Sequence, residues 1–349
     1  MRVLTYKEID REEWNALVKA SATGTWFQTP EAYCFYESMP EFFRPFVVAV
    51  ERVNDLANER TLRGVCVGYV TVEKSAVKQW LTRRAIIIGG PCFADDCANE
   101  EVSLLLSTLR QQLSTGANAP IYIESRNFND YSRWKDAFAS AGFDYKVHLN
   151  FHVDCRDKEA MWERMSENRR RQVRKAQATV ECLTNEGISE LEVREWYEIL
   201  RMLYWTKVKT PLWPVEFFLE AYRQGVGKFL LVKHEGKVIG GSMVVMSERV
   251  KELGNEGTVY EWFECGLNAD YKEQYPSVMA TWAGMQYANG HGCARYDMMG
   301  AGVPGVPYGV RDFKNEFGGE LVEHGRFLCV CKPLLYKLGV LGVKILKRK

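Results

Sequence analysis

The chain has 349 residues, 46% of them apolar and 26% charged, which is ordinary globular material too long for one comfortable core, so two domains are the starting expectation. A formal charge of +1 argues against a protein that coats nucleic acid, although local patches can still bind phosphate. The ten cysteines include no CxxC pair and the five histidines no HExxH, so the cysteines read as reduced and buried and no metal is expected.

In chain order, residues 3–6 read as a short strand and Asp10 as the cap of a helix through Lys19. Residues 25–37, TWFQTPEAYCFYE, form an aromatic-rich turn into a helix. Two β-rich runs, 43–53 and 62–73, are joined by a polar loop with the composition of a hairpin tip. Residues 84–89 are a buried strand closed by Gly-Gly-Pro, and 100–113 carry Val102, Leu105, Leu106, Leu109 and Leu113 at helical spacing. A strand at 121–124, a helix at 131–141 closed by Gly142, and a strand at 145–153 complete the first half.

The second half repeats that order after a helical entry in which Trp196, Leu200, Leu203 and Tyr204 share a core stripe. A strand pair at 229–247 turns at 234–237, a strand follows at 258–265, and Pro276 leads a helix bearing Val278, Met279, Trp282 and Met285. Strands at 294–298 and 327–331 flank a Gly/Pro loop, GAGVPGVPYG at 300–309, and a short amphipathic segment at 311–317. The two halves read as copies of one αβ module, with RWKDAF at 133–138 matching DFKNEF at 312–317. The loop that begins at Gly300 is elaborated in the second copy alone, which points to a site there. The expected domains are 1–155, 156–331 with a basic entry helix, and a basic amphipathic segment at 332–349.

Between the halves runs SENRRRQVRKAQA, 166–178, where Ser166 can cap a helix that puts Arg170 and Arg174 on one face and Arg171 and Lys175 on the next. Guanidinium forks at that spacing suit a diphosphate, and the plainer alternative is a solvated face. Asp297, at a strand end, can take a proton from an attacking ammonium or organise the Gly-rich turn. Tyr260 and Tyr296 are wall or core residues, and Ser277, at the start of the Pro276 helix, offers a hydroxyl to a phosphate.

The run at 170–176, the segment YEWFECGLNADY at 260–271, the Pro276-led helix, Tyr296–Asp297–Met298, and Phe313–Lys314 followed by Phe317–Gly318 together resemble, in that order, the Fem-type aminoacyltransferases, which extend the stem peptide of peptidoglycan precursors. The resemblance implies an α+β fold of two tandem GNAT-like domains. It implies that Arg170, Arg171 and Arg174 bind the diphosphate of a nucleotide- or lipid-linked precursor, and that Lys314 of the Phe313–Lys314 pair stabilises the charge that develops during acyl transfer. The acyl donor would be an aminoacyl-tRNA or an acyl-CoA, with no permanently bound cofactor. No long heptad segment corresponds to the hairpin through which some relatives contact tRNA, and the acyl-CoA fingerprint is also missing, so both donors stay open. A CoA-dependent acyltransferase acting on an amino sugar or amino acid of envelope polysaccharide, and a non-catalytic protein binding an anionic glycolipid, are the competing readings.

The end, KPLLYKLGVLGVKILKRK, has Leu334, Leu338, Leu341 and Ile345 on one stripe and no acid. It can lie on an anionic membrane surface or dock on the core. The start, MRVLTYKEIDREEW, is charged throughout, and no run has the roughly 20 apolar residues of a membrane span, so a cytoplasmic protein is expected, with peripheral contact at the membrane's inner face.

Overall fold

The computed structural model describes all residues except 55–58, 117–118, 249–256 and 347–349, and the side chains of 342–346. The hairpin tip at 55–58 and the stripe position Ile345 therefore lie outside the described residues.

Residues 1–148 supply β1 (Arg2–Leu4), α1 (Arg11–Ala20), α2 (Pro30–Glu37), β2 (Phe43–Asn54), β3 (Glu59–Thr71), α3 (Ala76–Thr82), β4 (Ala85–Gly89), β5 (Cys92–Phe93), α4 (Asn99–Ser114), β6 (Tyr122–Asn127), α5 (Lys135–Ser140) and β7 (Asp144–Lys146). From Leu149 come β8 (Leu149–Asp154), α6 (Lys158–Arg164), α7 (Glu167–Gln177), β9 (Glu181–Leu183), α8 (Glu190–Leu203), α9 (Val215–Arg223), β10 (Lys228–His234), β11 (Lys237–Ser247), β12 (Gly257–Gly266), α10 (Pro276–Gly290), β13 (Cys293–Gly300), α11 (Gly309–Asn315) and β14 (Glu320–Glu323). The chain ends with β15 (Arg326–Val330) and α12 (Pro333–Leu346).

Two compact units result: unit 1 is Met1–His148 with Glu323–Lys349, and unit 2 is Leu149–Val322. The sheet of unit 1 runs β1-β2-β3-β4-β6-β15-β7, with β5 on β3. The sheet of unit 2, read from its far edge, runs β9-β10-β11-β12-β13-β8-β14. Position by position these are one order. Each has a parallel pair at the same place, β4 with β6 and β12 with β13.

The sixth position is filled in each sheet by a strand from outside the local order. β8 joins unit 2 although it directly follows β7, and β15 returns from the chain's end to lie between β6 and β7. The boundaries at 155/156 and 331/332 are corrected accordingly. The run 145–153, read as one strand, breaks at 147–148 and serves two sheets. Alternation of apolar residues specifies a strand and its buried face but carries no label for the sheet it joins.

The cores follow the expected periodicities. Asp10 Oδ1 accepts from Glu12 N and Glu13 N, starting α1. Val102, Leu105, Leu106 and Leu109 of α4 are buried against the first sheet together with Ile87, Ile123 and Phe138. In unit 2, α10 is apolar nearly all round and lies in the core with Val259, Val244 and Phe151. The ten cysteines are free, but Cys182 is exposed and Cys34 and Cys331 are half-buried, so burial is not uniform as expected.

Candidate active site

The candidate site in unit 2 lies at two departures from regular β structure. The parallel pairing of β12 with β13 ends at Tyr260 opposite Asp297. Beyond it β12 continues along β11 to Gly266 opposite Gly240, while β13 continues along β8 to Gly300 opposite Asn150. The second departure is a bulge at Trp262: Glu261 faces Val244 and Phe263 faces Met243, leaving Trp262 as the extra residue. Residues three apart in a regular strand point to opposite faces. Because of the bulge, Glu261 and Glu264, opposite Val244 and Ser242, share one face.

Helix α10 packs on that face. Thr281 Oγ1 and Tyr296 Oη donate to Glu261 Oε1 at 3.2 and 2.8 Å, and Gly284 leaves the room that the Tyr296 hydroxyl fills. A Cβ at Gly266 would strike Ser277, so glycine there lets the start of α10 approach the strand. Glu261 is 7% exposed, and burial raises its pKa against the pull of Lys314 and the two hydroxyls. Burial, with the neighbouring Glu261 carboxylate, pushes Glu264 up to about 8, against the Ser277 hydroxyl and Lys314. The Glu264 side chain is half-buried, and its Oε1 has no hydrogen-bond partner among the described residues. Glu264 is thus a carboxyl raised to about 8 beside a second carboxyl and within the electrostatic reach of a lysine.

The lysine is Lys314 on α11, 8% exposed. Its Nζ donates to Met298 O and, at 3.0 Å, to Gly300 O, which leaves one of three donors without an acceptor among the described residues. Burial lowers its pKa, and Glu261, Asp297 and Glu264 oppose that. The two carbonyls flank Met299, whose φ of 57° is unusual for a side chain of that size. Asp297 secures the same turn. Its Oδ1 accepts from Met299 N at 2.7 Å, and its Oδ2 lies 3.3 Å from His152 Nε2. Burial works against its ionisation, but His152, Arg295 and the Met299 amide hold its pKa below the ordinary value. An acid held in that range is a weak base, and its contacts are those of a loop organiser.

The Gly/Pro loop beyond Gly300 is gathered by Arg311, which donates to Ala301 O at 2.9 Å, Val306 O at 3.1 Å and Val303 O at 2.5 Å. The loop's apolar side chains Val303, Val306 and Tyr308 are exposed.

Basic helix α7 begins as expected, with Ser166 Oγ accepting from Arg169 N at 3.1 Å and Val173 and Ala176 buried. Arg171 and Arg174 are exposed, the latter over Trp162 with its guanidinium 5.4 Å from the ring. Arg170 is half-buried, and its Nε has no partner among the described residues. The helix is tied to α11 by Arg169, a residue the sequence reading passed over. Its guanidinium lies 4.5 Å from the ring of Phe313 and 5.2 Å from that of Phe317, and its Nε is 3.5 Å from Glu316 Oε2. Those two rings flank Lys314 in sequence, so the basic helix and the lysine are held in one assembly.

The structure thus brings Lys314, Asp297, Gly300, Tyr296 and Phe313 together. Tyr260 is fully buried and opposite Asp297 in the ladder. The Ser277 hydroxyl, expected to be open to a phosphate, instead accepts from Asn268 Nδ2 at 2.7 Å and interacts with Glu264. Glu261 and Glu264 were not singled out. Two acids in an otherwise apolar strand were the available signal, but a two-residue period sends them to opposite faces and so conceals the pair. Among the described residues no group of His, Cys, Asp and Glu is placed to hold a metal.

Residues 254–341 match the FemAB family. The fold is similar to that of FemX, with a TM-score of 0.70, 14% identity, and coverage of 97% of this chain and 99% of that one. It is also similar to a conserved protein of unknown function from Bacteroides thetaiotaomicron (TM-score 0.55, 10% identity, 94% of this chain and 99% of that one). L-PGS from Bacillus licheniformis matches with a TM-score of 0.52 and 12% identity over 95% of this chain and 96% of that one. Among curated proteins no sequence match was found. With the match to the FemAB family over residues 254–341 and the likeness to FemX over nearly the whole chain, the fold is FemX-like, built of two modules that share one sheet order.

Proposed function

We propose that the chain is an N-acyltransferase that moves an aminoacyl or acyl group onto an amine of a cell-envelope precursor, with the chemistry in unit 2. The observation that carries this reading is the placement of Glu264, a carboxyl raised to about 8, in electrostatic contact with Lys314 where β12 and β13 part.

Amine acceptors arrive as ammonium ions and must lose a proton before attack. A carboxylate titrating near 8 accepts that proton far better than one near 4. The freed amine adds to the donor's ester or thioester carbonyl, and the carbonyl oxygen becomes an oxyanion. The remaining N–H of Lys314 stabilises it, an interaction worth roughly 3 kcal/mol where such donors have been removed elsewhere. Glu264 returns its proton to the departing oxygen or sulfur as the adduct collapses, and the regenerated carboxylate then takes the surplus proton from the nitrogen, so the amide forms and one proton is released to solvent per transfer. The nucleophile belongs to the substrate, so no Ser-His-Asp set is required.

Arg170, Arg171 and Arg174 supply the cationic face for the precursor's diphosphate. The donor is an aminoacyl-tRNA or an acyl-CoA, both of which present a carbonyl on a good leaving group. The FemAB match favours the peptidoglycan-bridge class of transfer, and a cytoplasmic setting gives access to both donors. Incubation of the chain with a nucleotide-linked muropeptide and each donor in turn, followed by mass spectrometry of the acceptor, tests the reading. One added acyl group supports it and identifies the donor. Tight phosphate-dependent binding without transfer would favour a glycolipid-binding protein.

A further inference from the structure

We infer that α3 and α12 of unit 1 together form a docking surface for an anionic lipid bilayer. This inference is independent of the proposed transfer reaction. The stripe legible in the sequence of α12 faces solvent: Leu334 is 79% exposed, Leu338 64% and Leu341 55%. The helix docks through another side, where Tyr336 meets Tyr122 edge-on at 5.7 Å. Alongside it lies α3, more than two hundred residues earlier in the chain, which exposes Val77 at 69%, Trp80 at 53% and Leu81 at 50%. A single exposed leucine is unremarkable, but six large apolar side chains on two adjacent helices form a patch that a solitary soluble protein seldom carries.

Charge selects the occupant. Lys74, Lys78, Arg83 and Arg84 lie on and beside α3, and Lys332 and Lys337 on and beside α12. The sequence has no acid anywhere from 332 to 349. The nearest acid before α3, Glu73, is taken by Lys78 at 2.7 Å. A second copy of the same face would bring like charges together. An anionic bilayer offers apolar depth and negative headgroups over the whole patch, and long lysines can lie along it with their ammonium groups at the headgroups. Trp80 has the amphipathic ring that settles at that boundary. No helix among the described residues is long and apolar enough to cross a membrane, so the contact is with its surface.

The test is co-sedimentation of the full chain with vesicles of phosphatidylcholine alone and of equimolar phosphatidylcholine and phosphatidylglycerol. Binding to the anionic vesicles alone, weakening as salt rises, is expected. Trp80→Ser with Leu338→Ser should lower the partition coefficient about tenfold or more. Lys332→Glu with Lys337→Glu should do the same and flatten the salt dependence. Neither pair should shift the thermal midpoint or the transfer rate on a soluble precursor. The charge pair keeps the test decisive if the apolar pair folds poorly. Equal partition into both vesicle types, no partition, or a dimer dissolved by the same substitutions would overturn the inference.

Discussion

Lys135 and Lys314 fall at matching places in RWKDAF and DFKNEF, each on the short helix that follows the parallel-paired strand of its sheet. Lys135 is exposed, with its ammonium 4.1 Å from the centre of the Tyr145 ring, whereas Lys314 is buried on two backbone carbonyls among three acids. An acid of each unit differs as well. In unit 1, Glu124 accepts from Arg126 Nε at 2.8 Å and from Arg326 Nη1 at 2.9 Å; burial opposes its ionisation, yet the two arginines hold it at about 2. In unit 2, Glu264 faces another carboxyl and rises to about 8. β4 stays paired with β6 along its whole length from Ala85 to Gly89, while β12 leaves β13 at Tyr260. One strand order therefore accommodates both an ion network around Glu124 and a raised carboxyl within the reach of Lys314. The difference lies in the bulge, in the point at which pairing ends, and in whether each acid meets an arginine.

The comparison breaks most visibly at Glu264. Glu264→Gln should lower kcat/KM by roughly 10²- to 10⁴-fold and flatten the wild-type limb that rises toward about pH 8. The stability sign is also set. The folded pKa lies above the unfolded value of about 4.3, so the stabilising contribution is fully present below the unfolded value and lost as pH rises through about 8. Urea titrations at pH 5 and pH 9 should show that loss in the wild type and a smaller one in the variant.

Next is Lys314→Met, expected to reduce kcat by about 10²-fold with KM little changed, measured by steady-state transfer; an unchanged kcat would return Lys314 to a purely structural clamp. Arg170→Ala with Arg174→Ala should weaken precursor binding about tenfold and flatten its salt dependence by calorimetry, while unchanged binding would make the run a solvated face. The smallest effect on activity belongs to unit 1. Arg326→Met should leave the transfer rate unchanged and cost about 1–3 kcal/mol of stability at neutral pH, because Glu124 loses one of its two arginines. Since the folded pKa of Glu124 is depressed, the contribution at stake is present above about pH 4.3 and lost as pH falls toward 2. A loss of activity with unchanged stability would dissolve the contrast between the units.

Periodicity made α1, α4, α10 and most strands legible, and the repeated order β-β-β-α-β-α showed that one module occurs twice. The exchange of β8 and β15 was hidden because each is locally an ordinary strand, and its destination is decided by long-range pairing. Lys314, Asp297 and Gly300 could be marked from the loop and the resemblance because they are neighbours in sequence or in pattern. Glu261 and Glu264 could not, since their common face depends on a one-residue bulge that strand patterning does not encode. Arg169 was concealed by its own basic run, in which it alone of the arginines is buried, against Phe313 and Phe317.

Transfer of an acyl group to a precursor amine by the site of unit 2 is the step to measure. Mass spectrometry of a nucleotide-linked muropeptide after incubation with aminoacyl-tRNA or acyl-CoA, using wild type, Glu264→Gln and Lys314→Met in parallel, tests it most directly. A mass gain of one acyl group on the acceptor amine is expected with the wild type, and a strongly reduced yield with both variants. An unmodified acceptor with every donor, or a gain that both variants preserve, would contradict it.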